Sequence, residues 1–414
     1  MSLHDVLLWV CLIPVICGSF YALLCMAVAL WYARQRPPAF TEKALFQPPV
    51  TVLKPVYGLE SGLKERLRTA CQQDYPVYQV VFCVQNPDDP ALKVVKEIQA
   101  EFGETRVTIA LRDICAGPNG KVNNLLGGLD VARHDVLVIS DSDIYLRPDY
   151  LTAIVAPLED ENVGGVCTLF KSAGAEHIYE QLELLSINAD FIPSVLFAEV
   201  TGVAGFCLGP SVATRQSTLR ELGGLESFAE YLAEDYEIGR RIWTSGRKMV
   251  LAPYVVDAML DLENWSQWWK HQVYWDQNTR VASPKGFFGT ILIKSVPFAL
   301  FFAILTGGDP VGLAVLSGAV ALRLATTAVI LKNVLSDTEA LRALWLLPFR
   351  DIVGLASWFF AYGQRNTVWR GVEYRLTTGG RMVVAGSDPC VEAESATPTE
   401  RPSPSPSPSS REAA

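Results

Sequence analysis

Two acids stand at i and i+2 directly after the apolar run Val136-Leu-Val-Ile-Ser140, in Asp141-Ser-Asp143. Carboxylates placed just past a buried strand project into the crevice beyond it. A hard divalent ion such as Mg²⁺ or Mn²⁺ is held there by one or two carboxylates and by phosphate oxygens of a substrate. The same spacing also serves loop capping, so the pair alone leaves both readings open. Ala233-Glu-Asp235-Tyr-Glu237 carries adjacent acids at the start of a helix-like stretch. Acids there answer the positive end of the helix dipole, or one of them takes a proton from an acceptor hydroxyl. Asp89 closes Val84-Gln-Asn-Pro-Asp-Asp-Pro90 at the end of an earlier strand, and Asn119-Gly-Lys121-Val-Asn123 leads into a helix. The amides suit a ribose or base and the ammonium suits phosphate, although each, taken alone, is more often found in turns and helix caps. Trp265, Trp268, Trp269 and Trp275 crowd around His271-Gln-Val-Tyr274-Trp275. They read as a membrane-interface belt, or as rings that stack on a sugar or line a lipid entrance.

The elements that must position these groups alternate. Val50 to Leu53, Gln79 to Val84, Val107 to Leu111 and Val136 to Ser140 are short, β-branched and strand-like. Leu63 to Cys71, Ala91 to Phe102 and Lys121 to Ala132 lie between them with helical spacing. Strand, helix, strand in repetition predicts an α/β domain with a mostly parallel sheet.

The chain has 414 residues, of which 50% are hydrophobic and 19% charged. Soluble domains carry about 25% charged residues, so the deficit must be concentrated somewhere. The apolar content excludes disorder for the bulk of the chain. A net charge of -9 and a pI of about 5.1 argue against a nucleic-acid surface. The cysteines number 9, an odd count without CxxC pairs, which reads as reduced thiols rather than a disulfide scaffold.

Val6 to Ala33 holds no charged residue, and Arg34 and Arg36 follow it. That run predicts a transmembrane anchor over residues 1–33 with the rest of the chain entering the cytoplasm. A catalytic domain is expected over 47–285, membrane helices and a basic segment over 286–382, and a disordered Ser/Pro-rich tail over 383–414. Within the third segment, Phe287–Leu305 and Val311–Leu331 read as a helical hairpin, with Lys294 snorkelling to the interface and Arg323 facing protein. Leu344–Gly363 contains Pro348 and the pair Arg350-Asp351, and is expected to be interfacial or re-entrant. Arg365, Arg370, Arg375 and Arg381 after it read as cytosolic, which calls for two crossings in this segment.

The ordered set of motifs resembles the ceramide glucosyltransferase family of membrane-bound, inverting glycosyltransferases with a GT-A fold. The family pattern is an Asp after an early strand, an Asp-Ser-Asp or Asp-Ser-Gly, a Glu-Asp-Tyr and an (Arg/Gln/His)-x-x-Arg-Trp. It matches Asp89, Asp141, Asp235 and His271 to Trp275 here. Val52-Leu-Lys-Pro55, Gln73-Asp-Tyr-Pro76, Lys121-Val-Asn-Asn-Leu125, Trp369-Arg370, Tyr374-Arg-Leu376 and Gly379-Gly380 are similar as well. The resemblance implies glucose or a related hexose moving from a UDP-sugar to a lipid hydroxyl. It implies that Asp89, Asn119, Lys121, Asn123 and Asp141 hold the nucleotide-sugar, and that Asp141 and Asp143 hold Mg²⁺ or Mn²⁺. Asp235 would be the base, with His271, Tyr274 and Trp275 near the acceptor and the departing diphosphate. Tyr274 stands where the family pattern has Arg, so one hydroxyl replaces a charged five-donor fork. Lys270 and Arg280 are the nearby cations, Lys270 sharing the helical face of Tyr274. The acceptor alternatives to ceramide are a hopanoid, diacylglycerol or sterol. A processive polysaccharide synthase would need more spans, and an inactive nucleotide-sugar-binding protein would rest on Tyr274 alone.

Overall fold

The computed structural model describes residues 2–34, 46–202, 205–363, 366–369, 372–377 and 379–384. Arg36, Arg365, Arg370 and the Ser/Pro-rich stretch from 385 onward lie outside the described residues.

The central sheet contains β1 (Val50–Pro55), β2 (Tyr78–Val84), β3 (Val107–Leu111), β4 (Val136–Ser140), β5 (Ile144–Tyr145), β6 (Val163–Ala173), β7 (Ser211–Arg215) and β8 (Lys248–Met259). They run in the order β3-β2-β1-β4-β7-β6-β8-β5. The first four are mutually parallel, with Val50 opposite both Tyr78 and Val136. Beyond β4 the sheet is mixed, since β7 pairs antiparallel with β4 and β6 while β6 and β8 are parallel. Every residue of β1, β2 and β4 is buried. Strands covered on both faces read as continuous apolar runs rather than alternating ones, which is why they stand out in the sequence.

The helices are α1 (Leu3–Arg34), α2 (Leu63–Cys71), α3 (Ala91–Phe102), α4 (Gly120–Leu129), α5 (Tyr150–Val155), α6 (Ile178–Ser186), α7 (Ile192–Thr201), α8 (Gln216–Glu221), α9 (Glu234–Thr244) and α10 (Trp265–Ala282). They continue with α11 (Pro284–Gly289), α12 (Ser295–Leu305), α13 (Pro310–Ile330), α14 (Thr338–Ala343) and α15 (Leu347–Gly363). A second, antiparallel sheet is made by β9 (Asn366–Trp369), β10 (Val372–Leu376) and β11 (Met382–Val384). Tyr231 bridges to Arg381, and the Tyr374 hydroxyl donates to the Pro118 carbonyl at 3.3 Å. The C-terminal sheet is thereby tied to the loop ahead of α4.

By length and composition, Leu3–Arg34, Ile178–Thr201, Pro310–Leu335 and Thr338–Gly363 could each cross a membrane. The pair Pro284–Ile293 and Ser295–Leu305, bent by 47°, adds a broken span or re-entrant loop. Three features differ from expectation. The first hairpin limb is not one helix but breaks at Lys294, where Pro297 in the new first turn has no N–H to continue the ladder. Lys294 does not reach outward. Its Nζ lies against α15, 3.5 Å from where a Cβ on Gly354 would be. The third piece is an unbroken helix whose Arg350 and Asp351 are buried against protein. Arg323 does face protein, donating to Asp351 at 3.0 Å, to Asp190 at 3.0 Å and to the Ala189 carbonyl at 3.1 Å. Charges compensated in this way remove the cost that argued against a spanning helix.

Helix α1 is docked rather than tethered. Its Cys25, Ala29 and Tyr32 belong to the main core, Tyr21 donates to Ser194 Oγ at 3.1 Å and Tyr32 to the Ala252 carbonyl at 3.1 Å. Cys11, Cys17, Cys25, Cys71, Cys83, Cys167 and Cys207 are free thiols, as expected. Cys115 is disulfide-bonded, against the expectation, because pairing depends on proximity in space that cysteine spacing does not encode.

Candidate active site

The site is built at the carboxyl ends of β1, β2 and β4. Asp141 and Asp143 follow β4 directly. The turn that carries them is supported from below by Lys54 of β1, whose fully buried ammonium donates to the Asp141 carbonyl at 2.7 Å, Ser140 Oγ at 3.2 Å and the Ile144 carbonyl at 3.3 Å. Burial pulls the Lys54 pKa down to about 8, partly opposed by Asp143 and Asp141. A lysine inside a central strand reads as a break in the apolar run. Its role as a pedestal becomes visible only when β1 and β4 are adjacent.

Lys121 is the hub. Its ammonium lies 2.8 Å from Asp141 Oδ1 and 3.0 Å from Glu234 Oε1, and donates to the Gly209 carbonyl at 3.4 Å. Burial opposes its charge, but Asp141, Glu234 and Asp235 outweigh that and hold its pKa well above the ordinary lysine value. The three separate motifs of the sequence therefore meet at one nitrogen.

Asp235 enters in the first turn of α9 and accepts the Gly209 N–H at 2.7 Å. Burial first, then the charge of Glu234, pushes its pKa up to about 6, with Lys121 opposing. A Cβ on Gly209 would sit 2.7 Å from the Asp235 oxygen, so any side chain there would displace the carboxylate. The adjacent Pro210 carbonyl accepts the Asp141 N–H at 3.3 Å. This Gly209-Pro210 turn joins the two acidic motifs and was missed from the sequence, where it reads only as the turn ahead of β7. A cavity of about 570 Å³ lies beside the same helix start, lined by Ala233, Tyr236, Arg240, Pro284 and Gly380 but not by Asp235.

Asp143 differs from its neighbour. Burial, then the charges of Asp141 and Glu60, push its pKa up to about 7, and among the described residues no cation pairs with its carboxylate. Nor, among them, does any cluster of three or more His, Cys, Asp or Glu make a metal cage. Two acids in this state fit a divalent ion whose remaining ligands come from a substrate diphosphate.

The other expected donor-site residues are engaged by the backbone. Asp89 accepts Gly58 N–H at 3.0 and 3.1 Å and Ala91 N–H at 2.8 Å. Asn119 caps α4 through Lys121 and Val122 N–H, and its amide donates to the Tyr231 carbonyl and to Glu234 Oε2. Asn123 binds Ala116 N–H and the Gly117 carbonyl. Their polar atoms shape the loops around the Lys121 hub, so the capping reading describes what the geometry contains.

His271, Tyr274 and Trp275 lie on α10. The His271 ring is stacked with Tyr274 at 6.3 Å and accepts the Trp275 indole N–H at 3.1 Å. Burial disfavours its charged form, but Glu183 and then Asp143 more than offset this, so its pKa is raised. Tyr274 packs with Leu376 around Leu232, Tyr374 and Met382. Lys270 is exposed and Arg280 lies over the Tyr362 ring at 5.5 Å, so the cation found at the acidic motifs is Lys121. The tryptophans are mainly packing groups. Trp268 is buried, and Trp269 meets Phe360 of α15 edge to face at 5.4 Å.

Residues 8–382 match the model of glycosyl transferase family 21. The chain belongs to this family. It is 27% identical over 228 residues to ceramide glucosyltransferase 1 of Caenorhabditis elegans, covering 55% of this chain and 49% of that protein. It is 28% identical over 180 residues to the ceramide glucosyltransferase of Gibberella zeae, covering 38% and 34%. The chain spans about half the length of the first of these curated relatives. Among solved structures it is similar to the mannosyltransferase PcManGT from Pyrobaculum calidifontis in complex with GDP-Man and Mn²⁺. The likeness has a TM-score of 0.51 at 18% identity and covers 85% of this chain and 97% of that one. At that identity it shows the fold, and the family 21 member has the GT-A architecture expected of it.

Proposed function

We propose that this family 21 protein transfers glucose, or a related hexose, from a UDP-sugar to the hydroxyl of a membrane lipid, with ceramide as the leading acceptor. The observation that carries the reading is the meeting of Asp235, Glu234 and Asp141 around Lys121 at the carboxyl edge of the sheet. With a pKa of about 6, Asp235 is a stronger base than an ordinary aspartate and is still ionised at neutral pH. It would accept the acceptor hydroxyl proton as the new oxygen–carbon bond forms, while the bond from the anomeric carbon to UDP breaks in line and inverts that carbon. The electron pair leaves with UDP. Asp141 and Asp143 would hold Mg²⁺ or Mn²⁺, which supplies positive charge to the departing diphosphate. Lys121 would add its fixed charge at the same edge. Asp89, Asn119 and Asn123 would position the nucleotide through the loops they brace, and Trp275 would line the acceptor side. The apolar helices support a membrane location, with the catalytic domain assigned to the cytoplasmic side.

The decisive assay supplies UDP-glucose and ceramide to the purified full chain and measures UDP release. Mass spectrometry of the lipid product across ceramide, hopanoid, diacylglycerol and sterol identifies the acceptor. Asp235→Asn is expected to abolish turnover while UDP-glucose still binds. Retained turnover removes Asp235 as the base, and no UDP release with any acceptor leaves a nucleotide-sugar-binding protein.

A further inference from the structure

A continuous polar path, buried at Arg350, Ser186, Gln272 and Glu183, runs from the apolar helices to the partly exposed His271 ring. Arg350 of α15 pairs with Asp190 and donates from Nε to Ser186 Oγ at 3.1 Å. Arg323 of α13 holds the other oxygen of Asp190. The Ser186 hydroxyl donates to Gln272 Oε1 at 2.8 Å, and the Gln272 amide donates to Glu183 Oε2. The second Glu183 oxygen meets His271 Nδ1 at 2.7 Å, and the Trp275 indole N–H closes the path on His271 Nε2 at 3.1 Å.

These partners dictate the state of the ring. A carboxylate only accepts and an indole N–H only donates, so the neutral imidazole carries its hydrogen on Nδ1 and its lone pair on Nε2. Both nitrogens are engaged, and the ring cannot flip without losing both bonds. Glu183 is 1% exposed, in a stretch apolar enough to cross a membrane, and its partners are an amide and an imidazole rather than a lysine or arginine. Burying a carboxylate in that way is costly, and packing alone would be served by leucine or glutamine.

We propose that Glu183 is a positioning residue that fixes the orientation and tautomer of His271, and that Arg350 anchors it through Ser186 and Gln272, so that membrane-side helix α15 sets the geometry of the site. The kinetic part rests on the proposed transferase reading, and the spectroscopic part does not.

The chain contains 4 histidines, so ¹⁵N-histidine labelling of the full protein in nanodiscs gives few signals, and His271→Gln assigns the one of interest. The expected wild-type signal at pH 8 is the Nδ1–H tautomer. Glu183→Leu should convert it to the other tautomer or a mixture, and Arg350→Lys should shift it, while His4, His134 and His177 stay unchanged. Glu183→Gln covers the case in which the leucine variant does not fold. It should lower kcat about tenfold to a hundredfold, as expected for a displaced site group, with the donor KM within about threefold. Combined with His271→Gln it should add no further loss, because one residue acts through the other. An unmoved His271 signal, or losses that multiply in the double variant, overturns the proposal. If the wild type releases no UDP, the transferase reading falls while the ¹⁵N signals still decide the positioning role.

Discussion

At the scale of single residues, the site is governed by how acids share too few cations. Asp141 and Glu234 pair with Lys121, while Asp235 feels that charge without pairing with it and accepts the Gly209 N–H. Its raised pKa carries a sign that can be tested. The folded state holds the proton more tightly than the unfolded one, so stability falls as pH rises from about 4 to about 6. Asp235→Asn is therefore expected to unfold at higher temperature than wild type at pH 7.5, by roughly 1–3 kcal/mol, while being inactive. Catalysis has the opposite slope, since the base must be ionised. kcat/KM should rise with pH through about 6 and then level, and a profile flat between pH 5 and 7 would count against Asp235. Gly209→Ala should reduce kcat about a hundredfold by pushing the carboxylate aside, which single-turnover measurements would detect. Among the described residues no cation pairs with the Asp143 carboxylate, so Mn²⁺ together with UDP should raise the melting temperature of wild type and not that of Asp143→Asn.

At the scale of elements, helix breaks and close approaches matter more than propensity. Gly18 of α1 faces the bend ahead of α12, where a Cβ would lie 2.6 Å from the Ile293 carbonyl. That carbonyl is the one Pro297 cannot bond, so the bend and the glycine belong together. Gly18→Val is expected to cost about 1–3 kcal/mol through overpacking, read as a lower melting temperature with unchanged nucleotide binding. Elements α2, α3, β3 and β4 were legible residue for residue, because their boundaries are set by local apolar runs and turns. Helix α4 ends at Leu129 rather than Ala132. The apolar stretch Ile178–Thr201 was not recognised as a membrane candidate because Glu180, Glu183 and Asp190 interrupt it; Glu180 caps the start of α6 locally, and the partners of Glu183 and Asp190 are remote in sequence.

At the scale of the whole molecule, the anchor and the enzyme domain are one body. Tyr32, Ala29 and Cys25 complete the main core, so a chain lacking residues 1–34 should aggregate or unfold rather than yield a soluble transferase. Size-exclusion chromatography and thermal unfolding would report this, and a monodisperse, cooperative product would refute it. The family, the α/β architecture, the N-terminal and C-terminal apolar segments and the acidic motifs were readable from the chain itself. Each is carried by neighbouring residues whose periodicity or order survives without coordinates. Tertiary structure alone decided which acids share Lys121, how closely Gly209 approaches Asp235, where Glu183 and Arg350 find partners, and that Lys54 supports the Asp141–Asp143 turn. Those are contacts between residues tens to hundreds of positions apart, and a buried charge reveals its purpose only through the group that neutralises or orients it.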